Sequence, residues 1–145
     1  MNVVVMGCGR VGARVASILD HSGHKVTVID TVAGSFKRLS PEYGGDTIIG
    51  TGIDEDVLRA GGIETADAFV AVTNGDNRNI MAGQVARAIF GVEQVIVRIY
   101  DPVREDTYRR LGLTTVCPTT TISAQIIDQV VGAGSLAGPR PQKDT

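Results

Sequence analysis

Residues 3–12 read VVVMGCGRVG, an apolar run delivered straight into Gly7, Gly9 and Gly12. Their spacing is that of the G-x-G-x-x-G turn that opens a dinucleotide-binding βαβ unit. The first glycine permits a tight turn off the strand, and the second lets phosphate oxygens approach bare backbone. The third lets the following helix pack close against the sheet. A helix starting near Arg10 then aims unpaired N–H groups and its positive end at a pyrophosphate. Alone the motif is weak, and its context carries the reading. A strand precedes it, and an amphipathic helix follows with Val11, Val15, Ile18 and Leu19. A second strand over 25–29 ends in Asp30, 18 positions after Gly12, near the spacing expected of a carboxylate that grips ribose hydroxyls.

Outward from this unit the pattern keeps alternating. Strands are expected at about 2–6, 25–30, 46–50, 67–72, 94–98 and 114–117, and helices at about 10–22, 33–40, 54–60, 76–90, 102–111 and 120–131. Short apolar runs such as Ala68-Phe69-Val70-Ala71-Val72 lack period-two alternation, as parallel strands buried on both faces do. Helical segments carry apolar residues three and four apart, for example Val85 with Ala88 and Ile89. Gly23, Gly61, Gly91 and Gly112 fall just past expected helix ends, where a left-handed cap favours glycine. Six β-α pairs predict an α/β fold, a doubly wound parallel six-stranded sheet of Rossmann type with helices on both faces. The nucleotide-binding domain is expected over 1–131. From Gly132 the Gly- and Pro-rich GAGSLAGPRPQKDT reads as a flexible tail or linker over 132–145.

Composition narrows the function classes. At 145 residues the chain fits one domain with a real core. A net charge of −2 with no basic block gives no support to bulk nucleic-acid or anionic-membrane binding. The first residues go directly into a strand, so no signal peptide is expected, and no apolar run approaches the roughly 18 residues of a membrane span. A cytoplasmic location is the expectation.

The polar residues that attract attention mostly have structural explanations. Cys8 and Cys117 are the only cysteines; on strands three positions apart they would lie about 14 Å from each other, too far for a disulfide. Two lone cysteines are too few for zinc. Cys8, at a helix N-terminus, is either a small residue filling a crowded turn or a thiol of lowered pKa and modest redox sensitivity. His21 and His24 flank a loop at the far edge of the sheet. Asp54, Glu55 and Asp56 start a helix, where negative charge suits the dipole. Asn74, Asp76, Asn77 and Asn79 read as capping residues.

The expected ligand geometry follows from the fold. Phosphates would lie over Gly9, Arg10, Val11 and Gly12, with Arg10 as a charge clamp. Asp30 would hydrogen-bond the adenosine ribose and repel a 2′-phosphate, favouring NAD over NADP without separating NAD from ATP, ADP or AMP. Thr51 would lie at the adenine edge. Thr73 and Asn74 would sit on the rim at the topological switch point. Arg98 would reach either a distal phosphate or a neighbouring subunit, or else pair with Asp101 or Glu105. No nucleophile–base pair can be assembled: Tyr43, Tyr100 and Tyr108 are followed four positions on by Thr47, Arg104 and Gly112 rather than lysine. The residues point to a protein that binds a nucleotide without transforming it. An NAD-dependent oxidoreductase, or a fragment of one, is the alternative, and an energy or redox sensor serving another partner is a third reading.

In sequence order, GCGRVG, VTVID, GTGIDEDVLRAGGIETADAFVAVTN, VIVRIYDP and RRLGLTTVCPT resemble the N-terminal nucleotide-binding domain of bacterial potassium-transport regulators of the Trk/Ktr type, the RCK or KTN domain. The similarity spans about residues 1–130. It implies a cytoplasmic regulatory subunit that dimerises, builds a ring beneath a membrane potassium channel or transporter, and responds to NAD(H) or ATP/ADP. By position it assigns Gly7, Cys8, Gly9, Arg10, Val11 and Gly12 to the phosphate loop and Asp30 to the ribose. Thr73, Asn74 and Arg98 fall at its distal positions. Two residues depart from the family pattern. Thr51 replaces the usual acid after the third strand's glycine, and Thr119 follows Pro118 where some members carry a glutamate that supports a divalent cation, so no metal site is carried across. The last expected helix, with Ile122, Ile126, Ile127, Val130 and Val131, would leave apolar residues outward and invite a partner.

Overall fold

A computed structural model describes residues 1–132; the expected tail over 132–145 falls almost wholly outside them. Six strands form one sheet: β1 (Asn2–Met6), β2 (Lys25–Asp30), β3 (Asp46–Ile49), β4 (Ala68–Ala71), β5 (Gln94–Arg98) and β6 (Thr114–Val116). Their order is β3-β2-β1-β4-β5-β6 and every pairing is parallel. The chain turns from one half of the sheet to the other between β1 and β4. At such a switch point the loops after neighbouring strands diverge and leave a crevice.

The α-helices are α1 (Arg10–His21), α2 (Glu55–Ala60), α3 (Asp76–Ala88), α4 (Pro102–Arg110) and α5 (Pro118–Val131). Alternate residues of the central strands feed two cores. Val3 and Val5 face Ala13 and Ala16 of α1, while Val4 and Met6 join Leu58 of α2 and Ile80, Ala82 and Ala86 of α3. Both faces are therefore dry, which accounts for the continuous apolar strands. Asp54 caps α2, its Oδ1 accepting from the Asp56 amide at 2.9 Å and the Val57 amide at 3.4 Å. Among the described residues no helix is long and apolar enough to cross a membrane.

Three local expectations need correction. Residues 33–40 form a short 3₁₀ helix, Ala33–Arg38, rather than an α-helix. Gly34 and Ser35 are weak helix formers, and Pro41 disfavours helical backbone at the residue before it. The left-handed residue after α2 is Gly62, with φ 82°, whereas Gly61 is right-handed at φ −77°. This leads into an unanticipated 3₁₀ turn, Ile63–Thr65. The last helix starts two residues early because Pro118 suits a first helical position, where no N–H is needed.

Candidate functional site

The glycine turn is packed on one side and open on the other. Gly7 has φ +105°, and a Cβ there would come within 2.9 Å of the Thr73 amide nitrogen. A Cβ on Gly12 would lie 1.8 Å from the Gly7 carbonyl oxygen, so α1 is pressed directly onto the turn. Nothing lies within 4 Å of a Cβ on Gly9; that space is where a ligand can meet backbone.

The open side belongs to a cleft of about 450 Å³ over the C-terminal ends of β1, β2, β4 and β5. Eight residues singled out in the sequence line it: Gly7, Gly9, Arg10, Asp30, Thr51, Thr73, Asn74 and Arg98. Cys8, Val11 and Gly12 do not. Cys8 is fully buried and Val11 is about half exposed. Sequence reasoning missed Ser35, Arg38 and Arg78, which also line the cleft. Their placement depends on the 3₁₀ turn and on the first turn of α3, neither of which has a motif of its own.

At the β2 side, Asp30 is tied to the turn. Its Oδ2 accepts the Cys8 amide and its Oδ1 the Val32 amide, each at 2.8 Å. A carboxylate oxygen accepts more than one hydrogen bond, so both retain capacity for hydroxyl donors. Arg38 reaches across from the 3₁₀ turn to donate to the Cys8 carbonyl at 3.4 Å. The Cys8 thiol is held above its ordinary pKa, chiefly by burial and further by the Asp30 carboxylate, against a smaller opposing pull from Arg38. This corrects the redox-sensitive reading of Cys8: desolvation outweighs the helix end.

At the β4–β5 side the polar groups interlock. Asn79 is fully buried. Its Oδ1 accepts the Thr73 amide at 3.0 Å and the Thr73 hydroxyl at 2.6 Å. Its Nδ2 donates to the carbonyls of Thr73 and Arg98, both at 2.9 Å. Arg98 turns back over this rim, Nη2 donating to the carbonyls of Val72 at 2.6 Å and Thr73 at 2.8 Å, with its guanidinium 4.8 Å from the Tyr100 ring centre. Its Nε is buried with no hydrogen-bond partner among the described residues. Arg98 makes no ion pair with Asp101 or Glu105, because Asp101 caps α4 through the Val103 amide and Glu105 is engaged by the Thr115 hydroxyl and Arg109.

The Asn/Asp cluster is likewise not a cap, since α3 has no side-chain cap bond. Asp76 instead accepts the amides of Tyr100 at 2.8 Å and Asp101 at 3.3 Å, and Asn74 receives Arg78 at 2.9 Å. The overlooked signal was an asparagine on the inward stripe of α3, alongside Ile80, Gly83 and Ala86. A polar residue there must have buried partners.

The lining carries four arginines, Arg10, Arg38, Arg78 and Arg98, against one carboxylate, Asp30, on a chain of net charge −2. A concentrated positive field beside an open backbone turn and a buried, unpartnered N–H suits a phosphate-bearing ligand. Among the described residues no group of three His, Cys, Asp or Glu is placed to hold a metal ion.

Sheet order, glycine turn and the acid at the end of β2 together define a Rossmann-type nucleotide-binding fold. The TrkA-N domain family matches residues 3–119, and the chain belongs to that family. A relative from Streptomyces coelicolor, named Trk system potassium uptake protein TrkA, is 48% identical over 135 residues. The alignment takes in 93% of this chain and 60% of the relative, so the chain spans about three-fifths of that protein. The fold is shared with the Kef C-terminal domain of Shewanella denitrificans in its AMP-bound form, at TM-score 0.78 and 17% identity, covering 94% of this chain and 84% of that one. It is also shared with the GsuK channel bound to NAD, at TM-score 0.69 and 19% identity, covering 87% and 23%.

Proposed function

We propose that this chain is the nucleotide-sensing domain of a potassium-uptake regulator, binding NAD(H) or ATP/ADP in the β1–β4 cleft and holding it without chemical change. The observation that carries the reading is the imbalance of four arginines to one carboxylate around an open glycine turn. Asp30 receives the adenosine ribose, and the backbone around Gly9 with Arg10 receives the phosphates. Thr73, Asn74 and Arg98 face whatever extends beyond them. The family and the Streptomyces relative support the link to potassium uptake.

Regulation needs a ligand that distinguishes two conformations, because only differential affinity shifts an equilibrium. Arg98 stacks on Tyr100, whose carbonyl accepts the Thr119 hydroxyl of α5 at 2.7 Å. The cleft thus adjoins a helix with no buried residue, whose Ile122, Ile126 and Val130 are more than half exposed. We assign α5 to the contact between copies of the chain, in a homo-oligomer working in the cytoplasm against a membrane potassium channel or transporter. The functional test is potassium flux through that membrane partner, reconstituted with the regulator, in NAD, NADH, ADP and ATP. A nucleotide-dependent flux is expected, and a flux indifferent to all four contradicts the sensor role.

A further inference from the structure

We infer that Asn79 is a positioning residue of the nucleotide site, setting Thr73 and Arg98 for the half of the ligand that lies beyond the phosphates. The inference rests on the nucleotide reading above and adds a residue that lies outside the cleft lining.

Asn79 sits one turn into α3, fully buried, and uses its whole hydrogen-bonding capacity on the rim. Three of its four bonds go to Thr73 and the fourth to the Arg98 backbone. It therefore joins the end of β4 to the end of β5. Arg98 closes the same loop from the other side by bonding Val72 and Thr73. Its guanidinium is thus held at the cleft by two carbonyls whose own positions depend on Asn79.

Apolar packing alone would not require this arrangement, since an alanine or leucine would suit that stripe of α3 at lower desolvation cost. What the amide adds is direction: it fixes the orientation of Thr73 and the backbone origin of Arg98. Asp30 and Cys8, on the β2 side, have no bond to this network. In a doubly wound fold the two mononucleotide halves of a ligand fall on the two sides of the switch point. Asn79 then governs one half only. A ligand that ends at its first phosphate is indifferent to it, while one that spans the rim is not.

AMP and NAD separate these cases. Calorimetric titrations use the 145-residue chain, Asn79→Ala, Arg98→Ala and the double variant, with melting temperature recorded for each. Asn79→Ala is expected to weaken NAD on the order of tenfold, the effect of about one lost charge-assisted hydrogen bond, and to leave AMP within about twofold. The double variant should lose less NAD affinity than the product of the two single losses, since part of the Asn79 effect acts through Arg98. A lowered melting temperature with equal loss of both nucleotides, or independent multiplication of the two single effects, overturns the inference.

If Asn79→Ala does not fold, the unmodified chain provides the readout. The Asn79 side-chain amide resonance should shift on adding NAD and stay in place with AMP; the same response to both, or to neither, overturns the assignment. An unmodified chain that binds neither NAD nor AMP overturns this inference, and the sensor reading falls with it only if NADH, ATP and ADP fail to bind as well. One that binds both without the selective loss overturns the inference alone.

Discussion

The Asp30 carboxylate accepts the backbone amide of Cys8 at 2.8 Å, so the acid at the end of β2 holds the glycine turn as well as facing the cleft. Replacing it removes two things at once. Asp30→Ala leaves the Cys8 and Val32 amides without their acceptor, and stability should fall by about 1–3 kcal/mol. Chemical denaturation measures that part. Affinity for NAD should fall in addition, and the loss of affinity should persist under conditions where the variant is fully folded.

Gly12 and Gly9 separate folding from binding within one motif. A Cβ on Gly12 meets a backbone carbonyl that cannot move aside, whereas one on Gly9 meets nothing. Gly12→Ala should cost about 3 kcal/mol or more through overpacking. Gly9→Ala should leave stability within about 0.5 kcal/mol while filling the space open to a phosphate, so nucleotide affinity drops at constant melting temperature. Paired denaturation and titration curves check both.

Cys8 should be slow to react. Its pKa is raised in the folded chain, so at neutral pH the reactive thiolate is scarcer than in an unfolded peptide, and alkylation should accelerate sharply only on unfolding. The same shift has a stability consequence. Above the thiol's ordinary value of 9.0, the unfolded chain loses a proton that the folded chain keeps. Stability is therefore fully present below pH 9 and declines as pH rises beyond it. Tyr43, whose pKa is also raised by burial and by the nearby Asp20 and Asp46, adds a second decline above its ordinary value of 10.0. Cys8→Ala should remove the first component and leave the second, as read from unfolding curves across pH 8–11.

Ile122→Asp combined with Ile126→Asp should dissociate the oligomer. Neither side chain is buried in the isolated chain, so the fold should survive, with melting temperature little changed. Sedimentation should then show the unmodified chain self-associated and the variant monomeric. An unmodified chain that sediments as a monomer at high concentration contradicts the role given to α5.

Much of this molecule is legible in its sequence because the decisive features are local. An apolar strand, three spaced glycines and an acid at the end of the next strand impose the β1–α1–β2 unit through short-range sterics and hydrogen bonding. Repeated alternation of buried strands and amphipathic segments then leaves few sheet orders open. The cleft lining was legible where strand ends supply it: Gly7, Gly9, Arg10 and Asp30 from that unit, and Thr51, Thr73, Asn74 and Arg98 at or just after the ends of β3, β4 and β5. Arg38 and Arg78 escaped because what places them in the cleft is a 3₁₀ turn and the first turn of α3. Asn79 escaped for a different reason: read along the chain it is one more polar residue at a helix start, and only the packing of α3 on β4 and β5 turns it inward. The same packing converts Asp76 from an expected cap into a clasp on Tyr100.

Melting the 145-residue chain with NADH, NADPH, ATP, ADP and AMP in turn tests the central claim most directly. A ligand at a hundredfold its dissociation constant adds about 2.7 kcal/mol, which for a chain of this size is a rise of roughly 5–10 °C. The account predicts such a rise with NADH or with ATP and ADP, its loss in Gly9→Ala, and no rise with NADPH, whose 2′-phosphate would meet the carboxylate of Asp30 if that residue receives the ribose. No rise with any of the five would contradict it.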